Sequence, residues 1–166
     1  MKTLIYSFLF IAISATVLSG CEESEATEEL LNDVTEGKMV VEIDGDRDEI
    51  FNCTFNHFGE GEGLSGEIFI NGTIPGSTDK YLTLMYGSFQ NTTALTKKSY
   101  STDNSEDMMT VSTSYGYIEN GTRLTITIVE VTDTAIKGTF TGNLSKQEGN
   151  VNIDGAFWAL KEEQAQ

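Results

Sequence analysis

Basic residues, proline, histidine and cysteine are all scarce in this chain, and most of these scarcities close off a class of function. Ten Lys and Arg stand against 26 Asp and Glu in 166 residues, a formal net charge of −16. Nucleic-acid binding rests on basic side chains that neutralise phosphates and release counterions, so this chain is repelled by that backbone and by anionic lipid surfaces. The only cysteines, Cys21 and Cys53, are too few for the disulfide framework of a small exported domain. His57 is the only histidine. A hydrolytic triad would need it beside a serine and a carboxylate, and no Gly-x-Ser-x-Gly elbow occurs. Long amphipathic helical runs are also missing, which argues against a helical bundle.

What the chain does have begins at its N-terminus. Met1-Lys2 is followed by an apolar run from Leu4 to Leu18, broken only by Ser and Thr. This is the length of a signal-peptide core and short of the ~20 apolar residues a membrane span needs. Acidic residues follow, beginning Glu22-Glu23, where a retained span more often carries Lys or Arg.

The segment Leu18-Ser19-Gly20-Cys21 resembles the bacterial lipobox, an apolar residue and two small residues before an invariant cysteine. The resemblance implies that Leu18, Ser19 and Gly20 are read by the signal peptidase, that residues 1–20 are removed, and that the Cys21 thiol is lipidated. Each buried methylene contributes ~0.8 kcal/mol, and two or more chains hold a protein durably where one does not. With Cys21 so modified, Cys53 has no disulfide partner. It alternates with Phe51 and Phe55 and reads as a buried, inert thiol.

Removing Lys2 with the signal leaves 26 acids against 9 bases, a net charge of −17. Seven acids lie between Cys21 and the next base, Lys38. Residues 21–37 therefore read as a lipidated cysteine on a solvated acidic tether. A short helix over Thr27–Val34 is conceivable, but it buries too little to persist. Glu22, Glu23 and Glu25 resemble the acidic export signal of Bacteroidota surface lipoproteins, which implies an outer-membrane address on the outer face. A charged spacer on a periplasm-facing lipoprotein reads the same way.

Residues 38–160, about 120 in all, suit one domain, and 161–166 form a polar tail. Apolar residues recur at period two in short runs. Leu124, Ile126 and Ile128 share a face; so do Ile136, Gly138, Phe140, Gly142 and Leu144, and Val151, Ile153, Gly155 and Phe157. Further strands are expected over Lys38–Asp44, Arg47–Phe58, Leu64–Asn71, Tyr81–Phe89 and Met108–Tyr115. Asn71-Gly72, Asn120-Gly121, Asp44-Gly45-Asp46 and Lys146–Asn150 supply turn residues. The expected fold is all-β, a single antiparallel sandwich or barrel of about eight strands.

From Gly37 onward the layout resembles Bacteroidota lipoproteins with a calycin-like or sandwich domain of unknown function. The resemblance is carried by Val41-Glu42-Ile43-Asp44-Gly45, Phe69-Ile70-Asn71-Gly72-Thr73, Gly121–Thr127, Ile136–Phe140 and Val151–Phe157. It implies fold and address and brings no catalytic residues.

Three features invite chemistry. Asp44, Asp46 and Asp48 alternate as calcium ligands do, yet an EF-hand loop counted from Asp44 needs Gly and Glu where Glu49 and Phe55 stand. A solvated acidic hairpin is the favoured reading, and no metal or cofactor is assigned. Tyr81, Tyr86, Tyr100, Tyr115, Tyr117 and Trp158 would make either a sugar-stacking platform or ordinary cross-strand contacts, the second being favoured. Asp133-Thr134-Ala135 resembles a short Bacteroidota O-glycosylation motif and equally fits a turn. Asn-x-Ser/Thr triplets at Asn52, Asn71, Asn91, Asn120 and Asn143 follow from Thr-rich strands. The expectation is a non-enzymatic, lipid-anchored binding or interaction domain, whose partner beyond the membrane is a glycan, a small apolar ligand or an envelope protein. A lipocalin-like carrier of a small apolar ligand is the alternative.

Overall fold

The computed structural model describes residues 25–58, 67–74, 76–77, 81–88, 96–103, 107–113, 116 and 123–162. One short helix, α1 (Glu25–Asp33), precedes nine strands among these residues. They are β1 (Lys38–Ile43), β2 (Asp46–Phe58), β3 (Glu67–Thr73), β4 (Tyr81–Ser88), β5 (Ser99–Ser101), β6 (Asp107–Thr113), β7 (Leu124–Val131), β8 (Ala135–Lys146) and β9 (Gly149–Lys161). The strands form one sheet in the order β5-β7-β8-β9-β1-β2-β3-β4-β6. Neighbours in this order are antiparallel. The expected all-β class is thus observed, as one curled sheet instead of two stacked ones.

The turns explain part of the path. Asp44 and Gly45 both have positive φ, 52° and 88°. That pair of conformations belongs to the tight hairpin turn whose twist matches its strands. Asp44 also secures β9, because the Asn152 amide donates to its carboxylate at 2.9 Å. Asn71-Gly72, by contrast, is no turn. It lies inside β3, with Gly72 opposite Cys53 on one side and Leu82 on the other. A Cβ on Gly72 would stand 2.8 Å from the Met39 sulfur, so close approach of neighbours, not chain reversal, requires the glycine. Asn120-Gly121 lies outside the described residues.

The concave face carries the core. Met39, Phe51, Phe55, Ile70, Leu82, Leu84, Ile126, Phe140, Leu144 and Phe157 are buried there, together with Cys53. Glycines on β8 and β9 make space for the rings. Phe140 stands opposite Gly155, and Phe157 opposite Gly138. The ends of the sheet are drawn together by Tyr86 of β4 and Tyr100 of β5, whose ring centroids lie 4.1 Å apart at 43°.

The convex face is also covered, in one place. The expectation of a solvated tether over residues 22–37 is corrected here for Glu25 onward. Thr27, Leu30 and Val34 of the α1 segment are buried, and Leu30 and Val34 meet Val40 and Ala156, with Leu31 and Trp158 partly buried beside them. An isolated nine-residue helix is marginal in water, but burying Leu30 and Val34 contributes ~1.5–3 kcal/mol each. The Lys137 ammonium lies 4.9 Å from the centre of the Trp158 ring. Arg47 pairs with Asp33 at 2.7 Å, an exposed contact that adds little. After the helix, Lys38 donates to the Thr35 carbonyl at 3.0 Å, and Gly37 at φ 73° completes a tight reversal into β1.

Candidate binding cleft at the mouth of the sheet

Strand β1 is short, and where it begins its two neighbours meet. Beyond Lys38 the ends of β2 and β9 pair directly and in parallel, Thr54 with Leu160 and Phe55 with Lys161. The Glu162 amide extends this junction by donating to the Phe55 carbonyl at 2.9 Å. Alternation then dictates which side chains look inward at that end. Phe51, Cys53 and Phe55 are buried on β2, so His57 is the next residue on their face. On β9 the buried Phe157 and Ala159 place Lys161 on the same side.

The third wall is the turn between β7 and β8. It is built without glycine. The Thr132 hydroxyl oxygen accepts from the amides of Thr134 and Ala135, at 3.4 and 2.9 Å, and the Thr132 amide donates to the Ala135 carbonyl at 2.8 Å. This is the local side-chain turn that Ser and Thr offer. The Lys161 amide donates to the Thr134 carbonyl at 2.8 Å, tying the turn to β9.

Together Phe55, His57, Val131, Thr132, Asp133 and Lys161 enclose a cleft of about 420 Å³. Phe55 is almost wholly buried and forms its apolar base, while Asp133 and Lys161 are exposed at its rim. Burial, and then the neighbouring Lys161 ammonium, lower the His57 pKa from its ordinary 6.5. At neutral pH the ring is therefore uncharged, with one nitrogen able to donate and the other to accept. The mouth of a curled β-sheet is a recurrent place for such clefts.

The other sequence-singled residues fall elsewhere. Leu18, Ser19, Gly20, Cys21, Glu22 and Glu23 lie outside the described residues, and Glu25 is the first residue of α1. Asp44 and Asp46 are exposed at the opposite end of the sheet, and Asp48 continues into β2. Asp44 is engaged with β9 as described. The aromatic platform does not form from the residues described. Tyr86 and Tyr100 are buried against each other, Trp158 lies under α1, and Tyr81 is 38% exposed. Tyr115 and Tyr117 lie outside the described residues. Thr134 is exposed in its turn.

Cys53 is buried, and desolvation pushes its thiol pKa far above the ordinary 9.0. The cleft around His57 leaves no sign in the sequence, because its walls come from strand ends and a turn far apart along the chain. Comparison with family models, with curated proteins and with solved structures returns no match.

Proposed function

We propose that this chain is a lipid-anchored protein of the bacterial envelope, whose β-domain is a non-enzymatic binding module held close to the membrane. The observation that carries the anchor is Leu18-Ser19-Gly20-Cys21 directly after a signal-length apolar run. The acids Glu22, Glu23 and Glu25 support an outer-membrane address with the domain on the outer face.

The fold supplies one refinement. Glu25 already begins α1, so only residues 22–24 separate Cys21 from the folded part. Four Cα–Cα steps reach about 14 Å at full extension. The leash is therefore short, and the domain rides against the headgroups and not far out in water.

A binding role is supported by the cleft at the sheet mouth. The described interior is occupied by Phe51, Phe55, Phe140, Phe157 and their aliphatic neighbours, so a ligand fits the mouth better than an inner cavity.

Mass spectrometry of the mature protein tests the anchor. The expected product begins at Cys21 with acyl chains on its sulfur, and Cys21→Ser leaves the membrane fraction. An uncleaved N-terminus, or a bare thiol at Cys21, overturns the reading. Replacing Glu22, Glu23 and Glu25 by Ala should abolish whole-cell antibody labelling. Unchanged labelling rejects the export role of these acids.

A further inference from the structure

The cleft at the sheet mouth holds two opposite charges that do not pair with each other. Asp133 and Lys161 both line it, and neither side chain has a described ion-pair or hydrogen-bond partner. In a chain of net charge −16, one cleft thus carries an ammonium and a carboxylate in its lining with no ion pair between them.

Among the described residues, backbone hydrogen bonds and the Thr132 hydroxyl hold the walls in place. The Lys161 amide is fixed to Thr134, and the Thr132 hydroxyl fixes the turn that presents Asp133. The two charged groups therefore face the cleft from separate, anchored elements. The rest of the lining is an uncharged imidazole, Thr132 and the apolar side chains of Phe55 and Val131.

We propose that this cleft binds a small zwitterion, of the class of free amino acids and short peptides, across Asp133 and Lys161. The ligand carboxylate meets the Lys161 ammonium and a His57 N–H. Its ammonium meets the Asp133 carboxylate, and its aliphatic part rests on Phe55 and Val131. A charge-assisted hydrogen bond at each end is about twice as strong as a neutral one, and the two ends together fix the ligand's direction. The cavity volume of about 420 Å³ accommodates one or two residues with water. An anion alone would leave Asp133 opposed to it, and a cation alone would face Lys161, so the pair of charges selects a ligand that carries both.

This deepens the binding reading and stands apart from the anchor. Titration calorimetry on the full chain in uncharged detergent micelles tests it, with L-alanyl-L-alanine as probe. Because His57 is the only histidine, its imidazole resonances report the site without assignment. The expected result is saturable binding that moves those resonances. N-acetyl-L-alanyl-L-alanine amide, uncharged at both ends, should bind at least tenfold more weakly. Lys161→Gln and Asp133→Asn should each weaken the dipeptide at least tenfold, with a dispersed amide spectrum showing that each variant is folded. No saturable change at His57, equal affinity for the blocked dipeptide, or unchanged affinity in both variants overturns the proposal. If the dipeptide fails while a glycan or apolar metabolite binds the same preparation, the zwitterion assignment falls and the broader binding role stands.

Discussion

Phe140 of β8 lies directly over Gly155 of β9, so close that a Cβ built on Gly155 would stand 2.1 Å from the ring's Cζ. The relationship is repeated two residues along each strand, where Phe157 covers Gly138 with its Cζ 2.6 Å from a Cβ built there. Each strand lends the other a bare backbone on which to rest a ring. Aromatic covering of glycine compensates a residue that otherwise weakens a strand, and the glycines let the sheet bend tightly enough to curl.

Gly155→Ala should therefore destabilise the domain by about 1–3 kcal/mol, the usual cost of overfilling a core. Urea unfolding with a constant slope measures it. Phe140→Leu in the same chain should recover part of that loss, since the nearest obstruction is the ring. The recovery is partial because the Val40 carbonyl also lies 2.6 Å from the built atom. Gly142→Ala should gain nothing from any ring truncation, since the atoms nearest its built Cβ, the closest at 2.0 Å, are the backbone of Arg123 and Leu124. Strictly additive effects of Gly155→Ala and Phe140→Leu would refute this account of the pair.

Tyr86 is expected to carry a hydroxyl it does not need for stability. Its side chain is 1% exposed, and its oxygen has no hydrogen-bond partner among the described residues. An unpaired buried hydroxyl costs about 1–3 kcal/mol, so Tyr86→Phe should be neutral or stabilising while keeping the ring contact with Tyr100. A loss above about 1 kcal/mol in thermal or urea unfolding would mean that the hydroxyl is engaged.

Alkaline pH should unfold the domain through two buried weak acids, Cys53 and Tyr86. Burial raises the pKa of the Cys53 thiol, and burial followed by the neighbouring Tyr100 raises that of the Tyr86 phenol. Above about pH 9 the unfolded thiol loses its proton while the folded one keeps it, so the unfolded state binds fewer protons and stability falls as pH rises. The phenol adds a second decline above its ordinary 10.0. Cys53→Ala should remove the first decline and leave the second. Stability measured from pH 7 to 11 distinguishes the two, and a profile unchanged by Cys53→Ala would show that thiol ionisation is not linked to unfolding.

These relationships were legible in the sequence to different degrees. The alternation of Leu124, Ile126 and Ile128, and of Ile136 to Leu144, pointed to β7 and β8; β7 buries one face, while β8 also buries Ala135, Thr139 and Ser145 of its other face. Asn71-Gly72 misled, since turn propensity is local while the position is decided by Met39 and Phe51 crowding it from other strands. β5 spans three residues, too few to display a period. The cleft joins His57, Asp133 and Lys161 only after β2 and β9 meet beyond the start of β1. The covered convex face did leave a trace. Met39-Val40-Val41 and Ala156-Phe157-Trp158-Ala159 are continuous apolar runs instead of alternating ones, the pattern of strands buried on both faces.

That second covered face makes α1 the element most open to a decisive test. Among the described residues its apolar support is the patch of Val40, Ala156 and the partly buried Trp158, and Trp158 is the only tryptophan in the chain. Leu30→Asp places an unpaired carboxylate against that patch, at a cost well above the ~1.5–3 kcal/mol that the leucine contributes. The helix should then leave the sheet while the concave core stays folded. Trp158 emission should shift to longer wavelength, and the β-signal in circular dichroism should persist. Leu30→Ala should give a smaller shift in the same direction. If the anchor is at Cys21, freeing residues 25–37 adds thirteen residues of leash, or about 45 Å at full reach. Protease sites in that stretch should become cleavable on intact membranes in Leu30→Asp and remain protected in the native chain. Unchanged Trp158 emission in Leu30→Asp would mean that the helix does not cover that ring, and the short leash would lose its structural basis.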